Sequence, residues 1–133
     1  MKNFTSSFKK LIEIHLFSKM FRHLPHSNRI LDEIINAKKA NLNFTVIILS
    51  SSFIDIFLNE NTIANKPLGL SILNKDERND VNWLKKRRND LIHFNNTLDG
   101  FLLSEEDDER LQKESEIAIN IIVKFINVYD LRD

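Results

Sequence analysis

The chain has 133 residues and no cysteine, with two glycines, two prolines, one tryptophan and one tyrosine. The lack of thiols excludes disulfide scaffolds, iron-sulfur clusters, thiolate zinc sites and a cysteine nucleophile, so catalysis of any kind falls to other groups. Glycine and proline average about 7% and 5% of residues and punctuate turns and strand ends. Their scarcity leaves few turns and therefore few, long elements. A β-sandwich or barrel needs a turn signal about every ten residues, so an all-β fold is excluded. A glycine-rich phosphate loop is also missing, which removes nucleotide hydrolysis of the P-loop type. The longest mainly apolar run, Phe44 to Leu58, is too short for a bilayer span and contains Ser50, Ser51, Ser52 and Asp55. Glu13 and His15 interrupt the first apolar stretch, and no small-residue cleavage site follows as a secretory signal would require. The expectation is a soluble, cytoplasmic protein with no membrane association.

Apolar residues make up 42% of the chain, and 19 Lys plus Arg balance 19 Asp plus Glu. A chain of this length buries about two-thirds of its unfolded surface, so residues 1–133 read as a single domain with its own core. The zero net charge hides an asymmetry. Residues 1 to 50 carry eight basic and three acidic groups, whereas 99 to 133 carry four and ten. Opposite ends of such a chain attract each other within a bundle or across a dimer, and salt weakens that attraction.

Apolar spacing and start signals predict four helices and no strand. The first covers about Phe4 to His23, with Phe4, Phe8, Leu11 and His15 on one stripe and Ile12 and Leu16 widening it. Pro25 disfavours helix at Leu24, and Ser27 or Asn28 then serves as a cap. The second covers Asn28 to about Glu60 and reads as a long central helix, apolar on several faces in its latter half. Residues 61 to 73 hold Pro67 and Gly69 and form the main loop, with room for a short turn of helix. Asn74 with Glu77 three residues on resembles a capping box that starts the third helix, and Gly100 follows its end. Ser104 with Asp107 starts the last helix, whose core stripe reads Leu111, Ala118, Ile121, Ile122, Phe125 and Val128. The fold class is all-α, an antiparallel bundle of four to five helices.

Arg88-Asn89-Asp90-Leu91-Ile92-His93 is the stretch that carries chemistry. With Val81 as origin and about 100° per residue, Arg88 falls near 340°, between Leu84 near 300° and Ile92 near 20°. A permanently charged guanidinium inside an apolar arc requires an anionic partner. Asn89 near 80° and His93 near 120° share a flank with Lys86 near 140°, which suits Asn89 to orienting the imidazole. Arg88 and His93 themselves stand about 140° apart, so only a bend at the helix end or a second subunit aims both at one small ligand. The structural alternative pairs Arg88 with a buried carboxylate such as Asp55 and leaves His93 at a helix C-terminus, where the dipole favours a cation.

An Arg followed by Asn, then a His after four intervening residues, on the penultimate long helix of a small helical protein, resembles the signature of the HEPN domain family. The likeness covers most of the chain as architecture and about a dozen residues as sequence. It implies a HEPN-like helical bundle and a metal-independent endoribonuclease, generally a homodimer whose two Arg-His motifs face a shared cleft. It further implies that Arg88 holds the scissile phosphate of RNA, that His93 is general base or acid, and that Asn89 fixes the imidazole or touches phosphate. The resemblance also implies a toxin-antitoxin or defence setting, with an antitoxin or a nucleotidyltransferase as partner. One branch of the family carries Tyr two residues after the His; Asn95 stands there, so that residue's role does not transfer.

Lys85, Lys86 and Arg87 are candidates for non-specific phosphate attraction. Trp83 can stack on a base but reads more naturally as packing. Asp55 and Glu60 match no motif and are left as candidate supporting groups near the cleft. His15, His23 and His26 lack the spacing of a metal site and no Glu-x-x-His pair occurs, so neither a metal nor another cofactor is expected. Phe94, Asn95, Asn96 and Thr97 follow His93, unlike the residues after a phosphotransfer histidine. A non-catalytic RNA- or protein-binding helical module is the alternative to a nuclease.

Overall fold

The computed structural model describes residues 4–17, 24–60, 62–63, 66–67, 73–93 and 105–130. Among them are helices α1 (Ser6–Phe17), α2 (Pro25–Lys39), α3 (Asn43–Glu60), α4 (Lys75–His93) and α5 (Glu105–Asp130). The loop after α3 holds a minimal antiparallel pairing of β1 (Thr62–Ile63) with β2 (Lys66–Pro67), in place of the expected turn of helix. No other strand occurs among the described residues.

The centre of the bundle is α3. Val46, Ile47, Phe53, Ile54, Phe57 and Leu58 are buried around more than one of its faces, and α2, α4 and α5 pack against it. Each side chain of this size contributes about 1.5–3 kcal/mol when taken out of water. Phe57 connects to α5 through Tyr129, with ring centroids 6.2 Å apart, and Tyr129 in turn meets Phe125 at 6.0 Å. The α1 stripe is present as Phe8 and Leu11, both fully buried. Ile12 and Phe4 pack against the same core, whereas Leu16 is 65% exposed. On α5 the expected stripe is buried except for Val128, which is 44% exposed, while Ile119, Val123, Ile126 and Tyr129 join the core. That helix turns a broader apolar face inward because it lies against both α1 and α3.

The expected single helix from Asn28 to Glu60 is two helices. Asn41 has φ of 59°, in the left-handed region where Asn is the usual substitute for Gly. The Leu42 N–H donates to the Ala37 carbonyl at 2.9 Å and the Asn41 N–H to the Lys38 carbonyl at 3.0 Å, the two bonds of a Schellman ending. The chain therefore reverses between α2 and α3 without glycine or proline. At the other end of α2 the cap is neither Ser27 nor Asn28. The helix begins at Pro25, and Leu24 at the cap position offers no side-chain acceptor. Glu60, at the end of α3, replaces it: Oε2 accepts from the His26 N–H at 2.9 Å and Oε1 from the Ser27 N–H at 2.7 Å. By contrast, the Asn74–Glu77 capping box forms as read, with reciprocal bonds of 2.9 and 2.8 Å at the start of α4. His23, Gly100 and Ser104 lie outside the described residues.

A polar knot closes the α2–α3 end. The Lys38 side chain is 8% exposed and its ammonium meets Glu116 Oε1 at 2.9 Å, Ser115 Oγ at 2.8 Å and Asn43 Oδ1 at 3.1 Å. Three donors on three acceptors satisfy the ammonium, as a buried cation requires. Thr5 Oγ donates to Glu116 Oε2 at 2.7 Å, which brings α1 into the same network.

Partial burial pushes the Glu60 carboxyl up, but the N–H groups of Ser27 and His26 and the His26 ring outweigh it and hold the group below the ordinary carboxylate range. A carboxyl depressed in the folded state adds stability above its unfolded pKa of about 4.3 and loses it as the pH falls through the folded value. Glu60→Ala should therefore cost about 1 kcal/mol at pH 7 and much less in acid, below both pKa values. Urea unfolding of both proteins across that range measures the difference.

Candidate functional site

The motif lies on the last turns of α4, which is buried along Val81, Leu84, Arg87 and Leu91. It is Arg87, not Arg88, that sits within the apolar arc. Arg87, near 240° and about 40° beyond Leu91, extends the buried arc on the side that α5 covers, whereas Ile92 on the opposite side is 50% exposed. Arg87 is 8% exposed and its Nε lies 2.6 Å from Glu114 Oε2 on α5. Arg110 approaches the other oxygen of the same carboxylate at 3.9 Å. The expectation that Arg87 attracts phosphate is corrected: the guanidinium is committed to an interior ion pair that ties α4 to α5.

The same seam carries two more ties, Asp80 to Lys124 at 3.3 Å and Glu77 to the Tyr129 hydroxyl at 3.3 Å. These three links run in antiparallel order along helices that otherwise touch each other little.

Arg88 lies on the α3 side. Its side chain is 28% exposed, with Nη1 3.9 Å from Asp55 Oδ2 and Nη2 3.4 Å from Asn89 Oδ1. Lys85, one turn earlier, brings its ammonium to 3.7 Å from the other Asp55 oxygen. Direct charge-assisted bonds are nearer 2.7–2.9 Å, so both cations face Asp55 without closing on it. The structural alternative named Asp55 correctly as the partner of Arg88, although its side chain is 39% exposed rather than buried.

Asn89 and His93 are exposed, as is Lys86. Among the described residues Asn89 accepts from Arg88 rather than serving His93, which corrects its expected role in orienting the imidazole. α4 continues as helix through His93, so no break separates the two motif residues. Arg88 and His93 leave it about 140° apart and about 7.5 Å apart along the axis, and one chain does not aim both at one phosphate. Trp83 is half-buried against the core, in agreement with its reading as packing. Glu60 caps α2, away from the motif. Asn95 lies outside the described residues.

Sequence reasoning missed Glu114 and the Lys38 network, because their partners are remote in the chain and no local spacing marks them. Among the described residues no group of three or more His, Cys, Asp or Glu side chains has metal-holding geometry, and no helix is long and apolar enough to cross a membrane.

The two adjacent arginines should behave differently. Arg87→Ala removes the 2.6 Å partner of Glu114 and leaves it the 3.9 Å approach of Arg110, at an expected cost of about 3 kcal/mol, while Arg88→Ala, at a looser and partly exposed pair, costs about 1 kcal/mol or less. Thermal and urea unfolding of the two variants compares them directly.

Comparison with protein-family models, with curated proteins and with solved structures gave no match for this chain.

Proposed function

We propose that this chain is a metal-independent endoribonuclease of the HEPN type, acting as a homodimer. The observation that carries the reading is Arg88: a partly buried guanidinium on α4, among the described residues donating only a long 3.4 Å bond to Asn89 and facing Asp55 at 3.9 Å. Five N–H donors in a planar fork suit a phosphodiester, and most of that capacity is unspent.

In the proposed reaction Arg88 holds the non-bridging oxygens and stabilises the charge that develops on them. The ribose 2′-oxygen attacks phosphorus while His93 takes the 2′-hydroxyl proton and returns one to the departing 5′-oxygen, or performs one of these transfers with water performing the other. The P–O5′ bond breaks, leaving a 2′,3′-cyclic phosphate and a 5′-hydroxyl. DNA, without the attacking hydroxyl, is spared. Asn89 steadies the guanidinium. Lys85 and Lys86 add attraction for the RNA backbone. Because Arg88 and His93 diverge on α4, each cleft combines Arg88 of one copy with His93 of the other. A toxin-antitoxin or defence setting, with an antitoxin or a nucleotidyltransferase as partner, follows by analogy to the family that the motif resembles.

A second reading, a non-catalytic module that binds RNA or protein, is favoured by one observation: Arg88 has a carboxylate at hand within its own chain. Incubation of end-labelled structured RNA in EDTA separates the two. Cyclic-phosphate ends from the unmodified protein, reduced about a hundredfold or more in an equally helical His93→Ala variant, are expected of the nuclease. No cleavage by folded protein on several RNAs would leave the binding module.

A further inference from the structure

Lys85 and Arg88 stand three residues apart on α4, so their side chains leave the same face about 5–6 Å from each other. One carboxylate is shared between them, Asp55 Oδ1 at 3.7 Å from the ammonium and Oδ2 at 3.9 Å from the guanidinium. That is the bridging position a phosphate group would take against the same two cations. Asp55 projects from α3, the helix held by packing on three neighbours, so its backbone cannot withdraw when an anion approaches. Its two contacts are nevertheless loose, and all three side chains retain access to solvent, at 34%, 28% and 39% exposure for Lys85, Arg88 and Asp55. A structural ion pair built for stability would resemble the 2.6 Å Arg87–Glu114 pair one residue away.

We propose that Asp55 is an internal competitor for phosphate. In the free protein its carboxylate occupies the Lys85–Arg88 pair, and an RNA backbone must displace it or bind beside its charge. The device lowers affinity for isolated anions and leaves productive binding to chains of several phosphates, where Lys86 and other cations add to the attraction. The inference rests on the reading of Arg88 as a phosphate-binding residue, and it concerns binding rather than cleavage.

The test titrates a labelled 2′-O-methyl RNA oligonucleotide, which has no attacking hydroxyl and cannot be cut, into the full chain. Asp55→Asn is expected to bind it at least about fivefold more tightly at low salt, from removal of one negative charge beside the phosphate. The gain should disappear when Lys85→Gln and Arg88→Gln are added. Asp55→Ala should act in the same direction, which keeps the result readable if one variant folds poorly by circular dichroism. Unchanged or weaker binding by both folded Asp55 variants overturns the proposal, whether or not the unmodified protein cleaves RNA. If Asp55→Asn also abolishes cleavage without tightening binding, Asp55 serves the reaction or the fold and the nuclease reading survives alone. Tighter binding with no cleavage by any form upholds the competitor and counts against the nuclease.

Discussion

The structure depends on covering α3. A helix buried around more than one face cannot be stable in isolation, and its flanking helices α2, α4 and α5 have to enclose it. Such a helix leaves its few strongly polar side chains at the seams between neighbours. Asn43 at its start joins the Lys38 knot, Asp55 in its fourth turn faces α4, and Glu60 at its end holds the first amides of α2. One apolar helix thereby fixes the termini and orientation of those packed on it. The two tight contacts, at Lys38 and Glu60, are structural, with short bonds and satisfied partners. The loose contact at Asp55 is the one that coincides with the Arg-His motif.

The contrast between Arg87 and Arg88 shows how the fold divides labour between adjacent identical side chains. Rotation by about 100° per residue sends Arg87 to α5 and Arg88 to α3. Arg87 meets Glu114 in the interior at 2.6 Å, where loss of either partner strands a charge. Arg88 stays half-exposed near a carboxylate that does not close on it. Since α4 and α5 touch little elsewhere, the Arg87 pair, with Asp80–Lys124 and Glu77–Tyr129, holds the helix from which Arg88 and His93 project.

Local chemistry was legible in the sequence where both partners lie within a few residues. The Asn74–Glu77 box, the Phe8–Leu11 stripe and the inward face of α5 all follow from short-range spacing. The break at Asn41 carries no glycine or proline to mark it in the sequence, and asparagine enters the left-handed region without either. Glu60 as the cap of α2 and Glu114 as the partner of Arg87 join residues 33 and 27 positions apart, and no periodicity encodes them. The misplaced arginine had a different cause. Arg87 lies about 40° beyond Leu91 on the wheel, and local spacing carries no sign that α5 covers that side; Ile92 on the opposite side is 50% exposed, as is ordinary for an isoleucine on a protein surface. Within the candidate site, the residue types and their divergence on the wheel were readable, but the bracket of Lys85 and Arg88 around Asp55 needed the packing of α3 on α4.

The divergence of Arg88 and His93 on an unbroken helix makes the central claim one of composition: a working cleft takes its arginine from one copy and its histidine from another. The most direct measurement mixes two inactive proteins, Arg88→Ala and His93→Ala, under conditions that exchange subunits, and follows RNA cleavage in EDTA. A mixed dimer then contains one cleft with both residues intact and one with neither, so about a quarter of the unmodified activity should return at equal mixing, from half of the dimers each with one of two sites. Activity that stays at the level of the separate variants, with exchange verified by mass, would contradict a cleft shared between copies.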